Sequence, residues 1–217
     1  MTMMSNNDTA GKRPPRPIDP RTSAVVLVEC QNGVLGPDSM LPSLAADSAD
    51  IRDGLRRLVT AARSAGVLVV HATFEGWLGS TDPGTAPLWR TAAQSSKDWG
   101  PGHPATQVVP DLLDPTDLII PRHHGLSPTW GSELLPILRG HRVNTVVFAG
   151  VSLNVAIPLA VGQTVHEGFH VIVTRDAAAS TPAEYGQHIL ANTIAMLARV
   201  TTVDDLAAAW AAATATV

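Results

Sequence analysis

The chain has 217 residues, 45% of them hydrophobic, which is enough for one domain of about 150 residues or more with a buried core. Fifteen Lys and Arg against nineteen Asp and Glu leave a net charge of −4, a pI near 6.0 and no basic stripe, so nucleic acid is not expected as a partner. No stretch reaches the roughly 18 uninterrupted apolar residues of a membrane span. Cys30 is the lone cysteine, which excludes an internal disulfide and a multi-cysteine zinc site and fits a reducing, cytoplasmic setting.

Residues 1–21 are polar and proline-rich (Pro14, Pro15, Pro17, Pro20) and lack the apolar centre of a secretory signal. Such a composition predicts a flexible or strapped-on N-terminal arm, followed by a domain over 22–217. Residues 24–28 (AVVLV) form a continuous branched-apolar run, as expected of a strand buried on both faces. Asp47 is suited to cap a helix over 49–65, with Ile51, Leu55, Leu58, Val59 and Ala62 on one face and Gly66 closing it. Residues 67–71 (VLVVH) predict the second strand. From 74 to 107 there is no periodicity, only Trp77, Trp89 and Trp99 among Gly, Pro, Ser and Thr. A loop that long is either a lid or binding loop, or is pinned to the core by its tryptophans.

Residues 118–120 predict a short third strand, and Ser132 is placed to cap a helix through Leu138 to Gly140, with Pro136 inside it. Residues 145–149 (TVVFA) predict the fourth strand, 154–167 a helix ended by Gly168, and 170–174 the fifth strand. Residues 183–197 read as one helix with Ile189, Thr193 and Met196 on a side. An edge strand over 201–203 and a final alanine-rich helix capped by Asp204 follow. Strand and helix in alternation predict a three-layer α/β/α sandwich around a mostly parallel sheet of about six strands.

In such sheets ligands bind beyond the carboxyl ends of the strands, where strand order reverses. The candidate residues therefore follow the apolar runs: Glu29, Cys30 and Gln31; His71 to Glu75; Arg122, His123 and His124; and Gly150 to Ala156. Glu29 is unusual, a carboxylate directly abutting a buried strand, where it must be paired or functional. Neighbouring strand side chains point to opposite faces, so if Glu29 faces the cleft, Cys30 faces a helix layer as inert core.

The segments AVVLVECQNGVLG, DLIIPRHHGLSPTWGSELLPILR and NTVVFAGVSLNVAIPLAVGQTVHEGFHVIVTRDAAAS resemble the isochorismatase-like hydrolase superfamily, the cysteine hydrolases, from about Ala24 to Leu206. The resemblance implies a homo-oligomer, dimer or tetramer, with the tryptophan loop or the C-terminal helix as contact. It also implies a cis peptide at Val151–Ser152 and, in most members, an Asp–Lys–Cys triad that hydrolyses small amides through a covalent intermediate. Those three positions fall on Glu29, Arg122 and Ala156.

Each departure has a chemical consequence. A methyl group cannot attack a carbonyl, so Ala156 removes the thiol route at that position. Glu29 keeps the acid, one methylene longer, and Arg122 keeps the positive charge while giving up proton transfer. True isochorismatases also do without the nucleophile: an acid protonates a vinyl ether and water captures the cation. The expectation is thus non-covalent acid–base hydrolysis of a small molecule, anions included, with Glu29 as acid or base and Arg122 as electrostatic clamp. Gln31, His123, His124, Trp77, Ser152 and Asn154 are the candidates to line the substrate. The metal-binding branch uses an Asp and two His after the second strand. His71, Glu75 and Asp82 lack that spacing, so neither metal nor cofactor is expected. The alternatives are a retired homologue that binds a ligand or supports an assembly, and an amidohydrolase whose nucleophile has moved to Cys30.

Overall fold

The apolar runs alternate which helix layer they feed, and that alternation makes the fold. In the computed structural model, which describes residues 17–79 and 83–215, six strands form one sheet. They are β1 (Ser23–Val28), β2 (Leu68–Phe74), β3 (Leu118–Arg122), β4 (Thr145–Val151), β5 (His170–Ala179) and β6 (Arg199–Thr201). Every pairing is parallel, in the order β3-β2-β1-β4-β5-β6, so strand order reverses at β1 and β4, whose carboxyl ends lie side by side.

Along β1, Val25 and Leu27 pack on one side of the sheet with Leu55, Leu58, Val59 and Ala62 of α3 (Arg52–Ser64) and with Val203, Leu206 and Trp210 of α9 (Val203–Thr214). Ala24, Val26 and Val28 pack on the other side with α5 (Leu134–Gly140) and α6 (Ala156–His166). A strand buried on both faces needs no polar alternation, which is why these runs read as unbroken hydrophobics. Arg57 of α3 ties the first layer together from outside, ion-paired with Asp53, Asp176 and Asp204.

Several boundaries differ from the sequence expectation, each for a local reason. Asp47 does not cap α3. It closes α2 (Pro42–Asp47), a helix begun by Pro42, and a 3₁₀ turn (Ala49–Ile51) leads into α3. The 74–107 stretch carries α4 (Pro87–Ser95), again started by proline, with Trp89, Ala92 and Ala93 buried. Pro136 is the third residue of α5, where the helix needs no N–H donor, so it breaks nothing. The 183–197 helix is interrupted: α7 (Ala183–Ile189) passes through a π turn (Leu190–Ile194) into α8 (Ala195–Leu197). The wider turn shifts the phase, so Leu190 and Ile194 are buried and Met196 is exposed. The edge strand ends at Thr201, and Thr202 caps α9 by accepting from the Asp205 N–H, while Asp204 reaches Arg57.

Of the arm, residues 1–16 lie outside the described residues. Ile18 is buried against the α3 layer, and Asp19 caps a 3₁₀ turn (Pro20–Thr22). Among the described residues no helix is long and apolar enough to cross a membrane.

Beneath α3, His71 donates from Nε2 to Asp117 at 2.9 Å, and Arg63 holds the same carboxylate at 2.6 Å. Burial is the main cause that pushes the His71 imidazole below its ordinary range, ahead of the opposing pull of Asp117. The unfolded chain therefore takes up a proton that folded His71 refuses. Its stabilising contribution is complete above about pH 6.5 and declines as pH falls from there. Thermal unfolding of wild type and His71→Gln should converge as the pH is lowered from 7.5 to 5, because the variant lacks this part of the loss; parallel curves would contradict it.

Candidate active site

The carboxyl ends of β1, β3 and β4 converge at the point where strand order reverses. Glu29 follows β1 directly. Its N–H still donates to the Ala72 carbonyl at 2.9 Å, but its own φ of 52° turns the chain out of the strand. Arg122 is the last residue of β3. The peptide after β4, Val151–Ser152, is cis, as the resemblance implied, and Ala156 opens α6. Gly150 adopts a φ of 95° and lies so close to the Val28 backbone that an added Cβ would collide with it, which brings the two strand ends together.

Nη2 of Arg122 donates to Oε1 of Glu29, and the guanidinium lies 5.3 Å from the centre of the Phe74 ring. The side chains are 4% and 13% exposed, so it is the carboxylate rather than the cation that faces the opening. Nε and Nη1 of Arg122 are buried, with no hydrogen-bond partner among the described residues. These charges close the inner end of a cleft of about 50 Å³ whose walls are otherwise nearly all apolar: Phe74, Trp89, Ala92, Leu126, Val155 and Ala156. Among the described residues, Glu29 and Arg122 are the only charged side chains that line it. Larger hollows of about 570 and 380 Å³ lie elsewhere, beside Pro17 and Met196 and beside Arg21 and His141, and neither includes a residue of this cleft.

The structure thus brings Glu29, Arg122, Ala156 and Ser152 together and leaves the other candidates outside. Gln31 is fully buried as a strut: it accepts from the Phe74 N–H and donates to the Phe74 and Ala105 carbonyls. Beyond the left-handed Glu29 the alternation that would aim Gln31 at the cleft no longer holds. His123 donates from Nδ1 to the Gly76 carbonyl, and His124 leans on the exposed Trp130; neither lines the cleft. Trp77 packs edge-on behind Trp89, which lines the cleft in its place. Asn154 lines an adjoining groove, yet its amide is occupied by both backbone groups of Thr181. The apolar wall from Met40, Leu41, Leu44 and Leu88 carried no sequence signal, since α2 and α4 are short and rich in small residues.

Cys30 is buried in the α3 layer, its thiol turned to the Val28 carbonyl, and it does not line the cleft. Burial pushes the thiol up to about 12. Among the described residues no three His, Cys, Asp or Glu gather at one point, His71 being held by Asp117; Asp82 lies outside them.

A three-layer parallel sheet with a charge pair at its reversal point defines the class. The chain belongs to the isochorismatase domain family, whose model matches residues 23–205. It is 26% identical over 171 residues to the ureidoacrylate amidohydrolase RutB of Caulobacter vibrioides, spanning 71% of this chain and 74% of that one. A cysteine hydrolase from Pseudomonas syringae superposes with a TM-score of 0.78 at 22% identity, covering 91% of this chain and 96% of the other. An N-carbamoylsarcosine amidase from Thermoplasma acidophilum gives 0.65 at 19% identity, covering 84% and 97%. The structural likenesses establish the fold.

Two measurements check the reassigned residues. Gln31→Ala should cost about 2–3 kcal/mol in urea unfolding, since it strands buried backbone groups of Phe74; a loss under 0.5 kcal/mol, roughly a neutral surface change, would refute the strut. Iodoacetamide should leave Cys30 unmodified in the native protein and alkylate it in 6 M urea, read by intact mass; rapid native labelling would show an accessible thiolate.

Proposed function

We propose that this chain is an isochorismatase-family hydrolase that acts on a small molecule without a covalent intermediate, with Glu29 as the proton carrier. The observation that supports this best is the pairing of one carboxylate with one permanent cation at the end of an apolar cleft, lined also by Ala156, the position to which the resemblance assigns the family's nucleophile. Glu29, a carboxylate in its pair with Arg122, takes a proton from the attacking water and passes it to the leaving group, so it ends the cycle as it began. Arg122 stays protonated throughout and cannot serve as acid or base. It orients Glu29 from behind, a positioning role rather than the substrate clamp expected from the sequence. Dry walls strengthen the electrostatics between Glu29 and the reacting atoms.

The second reading, a ligand-binding homologue without turnover, rests on the same missing thiol. Both are tested by screening amides, vinyl ethers and small carboxylates for hydrolysis and for thermal shift. For a compound that wild type turns over, Glu29→Gln should lower kcat by about 100-fold or more with KM changed little, the usual size of a general acid–base contribution. An unchanged kcat would remove Glu29 from the reaction. Binding without hydrolysis by wild type across the screen would favour the second reading.

A further inference from the structure

Beside the inner cleft runs a second hollow of about 350 Å³, lined by Met40, Leu41, Pro42, Leu44 and Leu88 together with Ser43, Ser152, Asn154 and Thr181. Met40, Leu41, Leu44, Leu88 and Ser152 line both spaces, so the two are continuous. The groove has no charged lining side chain among the described residues, and the Asn154 amide is already committed to Thr181. At the inner end, Arg122 donates through Nη2 to Glu29 and is nearly covered, with its Nε and Nη1 buried. The inner space of about 50 Å³ admits a small functional group, whereas the groove has the size of an ordinary ligand site.

We propose that the groove is the subsite for the apolar arm of a neutral substrate, an aliphatic or similarly slender group whose amide, ester or ether end reaches Glu29. This deepens the function proposed above and rests on it for which end reacts. Two physical arguments fix the class. An apolar arm gains from leaving water against Met40, Leu41, Pro42, Leu44 and Leu88, which dominate the lining, while a polar arm would meet only the hydroxyls of Ser43, Ser152 and Thr181. A carboxylate at the inner end would be set against the Glu29 carboxylate, which already takes Nη2 of the one cation there, while that cation's Nε and Nη1 are buried away from solvent. The substrate is therefore neutral where it meets the pair, which narrows the range that the sequence left open to anions.

The test is a homologous series, butanamide to octanamide and the alkanoates of equal length, titrated into the full-length protein. Tryptophan fluorescence is the signal, because Trp89 lines the cleft. Affinity for the amides should rise about fourfold with each methylene until the groove is full. The alkanoates should bind at least about tenfold more weakly at every length, as expected for an unpaired charge moved out of water. Leu88→Ser, at a position 39% exposed and hence tolerant of change, should cut the gain per methylene by half or more. A series flat in chain length, or alkanoates that bind as tightly as amides, would overturn the subsite. The two proposals fail separately: a flat series with turnover abolished in Glu29→Gln removes the subsite alone, and a graded series with turnover intact in Glu29→Gln removes the proton-transfer role alone.

Discussion

The pairing of Glu29 with Arg122 is the constraint on which the rest of the site depends. Removing two charges from water costs several kcal/mol for each ion, and their attraction repays it only with close geometry and further contacts. Here the further contact is the Phe74 ring, stacked on the guanidinium, and Phe74 is itself held by Gln31 through both of its backbone groups. The pair therefore sits on a chain of support that runs from β1 through a buried amide to β2 and across to the end of β3. Neither charge could be lost alone without leaving the other buried and unpaired, a larger penalty than losing both. A guanidinium suits the arrangement better than an ammonium would, because it is planar, can sit over the ring and still donates along its edge.

The fold was largely legible in the sequence because its strands are buried on both faces. Unbroken runs such as residues 24–28 and 145–149 have few other places to go in a domain of this size, and alternation with helical stretches implied the parallel sheet. The neighbourhood of Glu29, Arg122 and Ala156 followed from the ends of those strands and from the family resemblance, while the strand order itself came from the structure. The walls of the cleft were not legible. They come from α2 and α4, short helices begun by Pro42 and Pro87, whose buried faces are one or two large residues among alanines and serines. A period of 3.6 residues needs more turns than these to show itself. Gln31 misled for a different reason: strand alternation assumes extended backbone, and Glu29 with its φ of 52° breaks the count one residue after β1.

The same break explains how a carboxylate and a cysteine at adjacent positions come to such different environments. Glu29 turns into the cleft at the carboxyl edge of the sheet, and Cys30 turns back beneath α3 toward the Val28 carbonyl. Burial raises the thiol to about 12, which removes the thiolate, the form that reacts, at neutral pH. Sulfur is thus present one residue along the chain from Glu29 and still chemically remote from the cleft.

A cleft with one titratable side chain and one permanent cation restricts the order of events on the proposed reading. Glu29 must both give and receive the proton, since Arg122 cannot exchange one and Ser152 is far too weak an acid or base to share the task at neutral pH. The proton that it passes on can then come only from water that has entered the inner space while the substrate still occupies it. An inner volume of about 50 Å³ holds a functional group and very little else, so the bulk of the substrate has to lie outside it. The apolar groove is where that bulk can go without displacing the reacting water. A roomy active centre would have allowed a bound anion, a large head group or a covalent detour. On the proposed reading, this one takes a slender neutral molecule, one water, and a carboxylate held still by the cation behind it.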